Sequence, residues 1–370
     1  MRTKLALALC LVAQAAQAQP LLPPAREFCS EPFTISVLQV SSPGSKFPLG
    51  FEFDQVGYRI FLSRNEKLAI QHIDPATGLL VGNFQVIDSG IIKDWPVLEL
   101  PLVRNGPEWG YCTTGSELYY MKPSVGGSGG RTLYRAREQS PDVWAVGPLP
   151  HGTGKAFPNP SKDAANAFPK TLYVRSATGV QNKFPYDIAL RTAPEDPSSE
   201  QVIPAAVTLE QGYPRWVSGA DQVVFSLLDA NDVEQAALYH LDSGLVEQIT
   251  FYAEQDGVSM DETWASPYPE LGPDERVVWF VVNGTELRVV RKAAESWIEV
   301  NRVNPSQVLG KPAYPYIVSP EPFSYGGKPY IAFQLSSSYY SVENGLADIY
   351  IMQPQATTSC HFRLISPDDT

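Results

Sequence analysis

Short runs of alternating apolar and polar residues follow one another along most of the chain, separated by clusters of Gly, Pro, Asn and Asp, and no helical stripe of ten or more residues interrupts them. The pattern predicts an all-β protein. Within it, apolar strands carrying one aromatic recur as RIFLS (Phe61), LYYM (Tyr120), TLYVR (Tyr173), VVFS (Phe225), VVWF (Trp279) and IAFQ (Phe333), at gaps of 59, 53, 52, 54 and 54 residues. A period of this size signals a solenoid, a propeller or an array. A hairpin partner follows each strand, as in YDIALRTA, AALYHLDSG and ELRVVRK, and often a further short strand, as in LVEQITF and WIEVNRV. Four antiparallel strands per repeat and six repeats predict a six-bladed β-propeller over residues 50–370, with blades starting near 50, 106, 157, 213, 266 and 319. Inside blade five, Asn283-Gly284 is the pair a type I′ turn favours. Residues 19–49 then form an N-terminal segment whose strand at 33–41, FTISVLQVS, is placed to add to the last blade and fasten the ring.

Ahead of each aromatic strand stands a short head: GFEF, GPEW, FPNP, YPRW, SPYP and SPEP. The third residues are Glu52, Glu108, Asn159, Arg215, Tyr268 and Glu321, none of them aliphatic, although their neighbours usually are apolar. Successive strand residues face opposite ways, so an innermost strand with this pattern is expected to turn its third residue to the central channel. In a closed ring blade six adjoins blade one, which brings Glu321, Glu52 and Glu108 onto one arc with Arg215 opposite. Three converging carboxylates repel unless solvent, a cation or a raised pKa relieves them. Glu52, Glu108, Glu321 and Asn159 supply oxygen ligands of the kind a hard cation such as Ca2+ takes. The same glutamates are candidate acid/base groups, Arg215 a clamp for an anionic group on a ligand, and Tyr268 a hydroxyl donor. His151, in the loop LPHGTGK just ahead of Asn159, is a candidate general base, against the plainer reading of a solvated loop residue. A polar channel filled with water would need none of these roles. Tyr339 and Tyr340 lie on the longest hairpin loop, where they could cover a ligand or pack on the propeller face.

Composition narrows the partners. The net charge of -12 excludes the basic footprint that nucleic acid or an anionic membrane surface requires. The first residues, MRTKLALALCLVAQAAQAQ, have a basic start, an apolar stretch too short to span a bilayer and an Ala-Gln-Ala cleavage site, so residues 1–18 read as a signal peptide and the mature protein as secreted or periplasmic. Of the cysteines, Cys29, Cys112 and Cys360 survive cleavage, and a Cys29–Cys360 disulfide that ties the two ends together is the preferred pairing. GGSGG at 126–130 meets the nucleophile-elbow pattern only in letters, because it joins two strands of a hairpin. GTGK at 152–155 lacks the spacing of a phosphate-binding loop.

The heads and strands together resemble the TolB-like six-bladed propellers built from PD40 (WD40-like) repeats. The residues that carry the resemblance are Pro214-Arg215-Trp216 with Val223-Val224-Phe225, Ser266-Pro267 with Gly272-Pro273-Asp274 and Val277-Val278-Trp279, and Ser319-Pro320 with Tyr330-Ile331-Ala332-Phe333. The resemblance implies the architecture and, as one functional reading, a non-catalytic scaffold with a protein docked on the propeller face. The residues themselves support the other reading, a propeller that binds a small charged or sugar-like ligand at the channel mouth, extended with a metal to a hydrolase or lyase.

Overall fold

The computed structural model describes most residues between 25 and 365; residues 1–24, 40–50, 91–106, 124–130, 177–185, 204–210, 268–275, 338–348, 353–362 and 366–370, with shorter stretches between, lie outside the described residues. Six four-stranded antiparallel sheets form the molecule, and in each the strands run outward from the axis. Blade one comprises Phe51–Asp54, Arg59–Arg64, Lys67–Ile73 and Leu80–Ser89, and blade two Glu108–Cys112, Gly115–Pro123, Arg131–Ser140 and Val143–Pro148. Blade three is Lys155–Pro160, Thr171–Ser176, Tyr186–Arg191 and Glu200–Val202; blade four is Gln211–Trp216, Gln222–Leu228, Glu234–His240 and Leu245–Gln248. Blade five is Met260–Pro267, Arg276–Val282, Glu286–Ala293 and Ser296–Val303. Each innermost strand touches the next, and that of blade six touches that of blade one, so the ring is closed. Among the described residues no helix is long and apolar enough to cross a membrane.

Blade six takes three strands from the end of the chain, Tyr316–Tyr325, Lys328–Ser336 and Ile349–Met352, and its outermost strand from the beginning, Val37–Gln39. Leu38 pairs with Ile351 across that join. A separate three-stranded sheet fastens the ends a second time, because Ala25–Ser30 pairs both with Phe33–Ile35 and with Arg363–Ile365.

The apolar strand faces that produced the sequence pattern pack blade against blade. Phe61, Leu68 and Ile70 of blade one meet Trp109, Leu118 and Tyr120 of blade two. Tyr119, Met121 and Leu133 meet Tyr173 and Ala189 of blade three, and Leu172, Ile188 and Leu190 meet Val223, Phe225 and Leu227 of blade four. From blade four to blade six the core is continuous, with Trp264 and Trp279 stacked at 5.9 Å in its middle. Each such large side chain contributes about 1.5–3 kcal/mol by leaving water.

Blades one to three add buried ion pairs. Arg59 places its guanidinium 2.7 Å from Asp54, 2.6 Å from Glu138 and 3.2 Å from Asp142, joining blade one to the last hairpin of blade two. Glu117, fully buried, accepts from Arg137 Nε at 2.6 Å and from the Tyr119 hydroxyl at 2.8 Å. Arg59→Met would leave the buried Asp54 and the largely buried Glu138 without their cation, a change that costs roughly 3–5 kcal/mol; urea unfolding should show a lower midpoint with an unchanged slope. The disulfide expected between Cys29 and Cys360 falls on side chains outside the described residues. Peptide mapping of the protein without reductant should yield a cross-linked pair, and alkylation of both as thiols would overturn the pairing.

Candidate functional site

Innermost strands in blades three, four and six break register at one place. Between Ala156 and Asn159, Gly212 and Arg215, and Val318 and Glu321, the inner strand advances three residues while its partner advances two. The residues inside these β-bulges are Phe157-Pro158, Tyr213-Pro214 and Ser319-Pro320. Proline has no N–H to give to a ladder and is tolerated at such an irregularity, and a bulge bends the strand and re-aims the next side chain. The recurrent Pro of the heads is therefore a register device. The residue delivered immediately after it is Asn159, Arg215 or Glu321.

The delivered side chains lean toward the next blade around the ring. Glu108 pairs with Tyr119, which packs on blade three; Asn159 pairs with Leu172, which packs on blade four; Arg215 pairs with Val224, which packs on blade five. Cross-strand partners share a sheet face, so each head residue follows its partner's direction. Asn159 Nδ2 donates to Glu108 Oε2 at 3.3 Å, and the Trp216 backbone N–H donates to Asn159 Oδ1 at 3.4 Å. Arg215 goes further, and its Nη1 lies 3.5 Å from Glu321 Oε2 and 3.9 Å from Glu108 Oε2. Blades two, four and six are alternate members of the ring, so these contacts cross the axis.

A second cation joins them that the sequence pattern did not single out. Lys162 Nζ lies 4.0 Å from Glu321 Oε2, 3.4 Å from the Pro322 carbonyl oxygen and 5.4 Å from the centre of the Trp109 ring. Lys162 belongs to the loop leaving the inner strand of blade three, held against blade two by Tyr111 N–H to the Ser161 carbonyl at 3.2 Å and Asp163 N–H to the Tyr111 carbonyl at 3.0 Å. Gly110 permits that approach, since a Cβ there would stand 2.7 Å from Pro160 Cβ. The sequence signal for Lys162 is a long excursion, residues 161–170, between two strands that most blades join more tightly.

Among the described residues, two carboxylates and two cations thus meet on the axis. Arg215 and Glu321 are buried at 9% and 7% side-chain exposure, while Lys162 and Glu108 keep 16% and 20%. The buried pair forms a floor, and the other two reach solvent. Among the described residues no group of three or more His, Cys, Asp and Glu is placed to hold a metal ion. Between Glu108 and Glu321 stands a guanidinium, which already supplies the positive charge their convergence demands.

The side chains of the remaining sequence candidates lie outside the described residues. In blade one Glu52 stands opposite Phe61, the recurring aromatic itself, and its side chain lies outside the described residues. His151, Tyr268, Tyr339 and Tyr340 also lie outside them. In blades two, three, four and six the delivered residue pairs with the residue just before the recurring aromatic: Glu108 with Tyr119, Asn159 with Leu172, Arg215 with Val224 and Glu321 with Ala332. In blade five that pairing, opposite Val278, belongs to Ala265.

No protein-family profile matches the sequence, and no curated protein matches it. Solved structures do match in shape. TolB from Acinetobacter baumannii is 10% identical with a TM-score of 0.41, over 84% of this chain and 67% of that one. Aleuria aurantia lectin in complex with Fucalpha1-6GlcNAc is 10% identical with a TM-score of 0.46, over 93% and 99%. Trypanosoma rangeli sialidase is 8% identical with a TM-score of 0.49, over 89% of this chain and 59% of that one. The protein is a six-bladed β-propeller in its strand arrangement. At these identities the likeness goes no deeper than architecture.

Arg215→Met should destabilise the protein by roughly 3–5 kcal/mol, because Glu321 and Glu108 lose a buried counter-charge. Adding Glu321→Gln should recover a substantial part of the loss, and a urea-denaturation cycle over the two positions measures the coupling.

Proposed function

We propose that this protein is a ligand-binding propeller of the secreted or periplasmic space that takes a charged, polyhydroxylated ligand, of the acidic-sugar type, at the channel end marked by Lys162 and Glu108. The observation that supports this most is the joint delivery of Arg215, Lys162, Glu108, Glu321 and Asn159 to one point on the axis, with only Lys162 and Glu108 keeping appreciable contact with solvent. Lys162, underlain by Arg215, offers a positive charge to a ligand carboxylate or sulfate. Glu108 accepts from hydroxyls, and Asn159 fixes its orientation by donating to Oε2. Trp109 beneath Lys162 holds the ammonium in place by a cation–π contact.

A finer version makes the site a metal-assisted hydrolase or lyase, with calcium held by Glu52, Glu108, Glu321 and Asn159 and with His151 or a glutamate moving the proton. Arg215 between two of those carboxylates competes with a cation for the same charge, which favours binding without metal. Titration calorimetry of the purified protein against uronate-containing and neutral oligosaccharides, with calcium and with chelator, tests the readings. Acidic oligosaccharides should bind, and Lys162→Met should weaken them roughly tenfold, as loss of one charge-assisted hydrogen bond does. Calcium that binds tightly and is lost on Glu108→Gln would favour the finer version. Absence of oligosaccharide and calcium binding alike would leave the protein-docking scaffold.

A further inference from the structure

In blade four, Val224 packs with the core shared by blades five and six, while Val223 and Phe225 pack with blade three. Arg215 pairs with Val224 and therefore sets out toward blade five. Glu321 pairs with Ala332, whose neighbours Ile331 and Phe333 belong to the core shared with blade five, so Glu321 sets out the other way, toward blade one. Arg215 thus leaves its own blade on the side of the inner strand of blade five before its Nη1 comes 3.5 Å from Glu321 and 3.9 Å from Glu108 on the axis. In that strand the residue at the level of the delivered residues is Ala265, buried next to the stacked Trp264.

We infer that Ala265 is the positioning residue of the axial site: its methyl group is the opening through which Arg215 reaches Glu321. A polar or long residue there, as in every other described head, would fill the passage and turn the guanidinium back to its own blade. The floor of the site would then lose its positive charge, leaving Glu321 with Lys162 alone of the two cations. Blade five thus sets the depth and charge of the site by contributing almost nothing to it. Ala265 touches no ligand; it acts through Arg215. Its part in recognising an acidic ligand rests on the proposed function, whereas its part in seating Arg215 does not.

A double-mutant cycle in the full chain separates the two. Ala265→Leu should lower the thermal midpoint by about 5 °C or more in the native background, as overpacking of a filled position does. In the Arg215→Met background, where no guanidinium needs the passage, the same change should cost less than half as much. Ala265→Ser should behave as the native protein. Equal losses in both backgrounds would overturn the inference, as would a double variant that fails to fold when Arg215→Met alone folds. Binding of acidic oligosaccharide, measured on the folded variants, should fall with Ala265→Leu to the level of Arg215→Met. Non-additive stability with no such binding in any variant keeps the passage and removes the acidic-ligand reading; binding that survives Ala265→Leu unchanged overturns the positioning role in recognition.

Discussion

Six strands crowd one axis, and the side chains they bring there must balance in both charge and volume. Glutamates from blades two and six cannot share that space as bare anions, and an arginine and a lysine from blades four and three answer them. Low local dielectric makes each unanswered charge expensive and each answered one strong. The bulges at Phe157-Pro158, Tyr213-Pro214 and Ser319-Pro320 are the backbone means of meeting this constraint, because they set the height at which each side chain arrives.

Uneven packing around the ring has the same origin. Blades four, five and six share one apolar core with a tryptophan pair at its middle, and among the described residues their buried charges are Arg215 and Glu321. Among the described residues, the apolar clusters between blades one, two and three are smaller and are supplemented by Arg59 with its three acids and by Glu117 with Arg137. Buried ion pairs contribute little net stability against well-packed apolar groups but are costly to break. They therefore fix how blades one to three sit on one another, and Lys162 inherits its place from that fixed contact.

The fold was legible because aromatic strands repeat at nearly constant intervals, and burial of both sheet faces leaves few ways to arrange such a repeat. The direction of Glu108 and Glu321 was legible for a related reason: an acid between apolar neighbours in a strand has to face something other than the core. Register was not legible. The letters SPYP align with SPEP, yet the pairing in blade five assigns the position of Glu321 to Ala265, three residues before Tyr268, since the irregularity of that strand falls between Met260 and Glu262 rather than at a proline. The place of Lys162 depends on a close approach at Gly110 and on a loop path, neither of which a periodic pattern encodes.

The outer strand of blade six has a consequence for how the molecule comes into being. Val37–Gln39 emerges from the ribosome some three hundred residues before its partner, Ile349–Met352. Until that partner arrives, an early strand waits with an unsatisfied hydrogen-bonding edge, the condition under which chains pair with the wrong neighbour. Closure of the ring should accordingly be the late and slow step of folding.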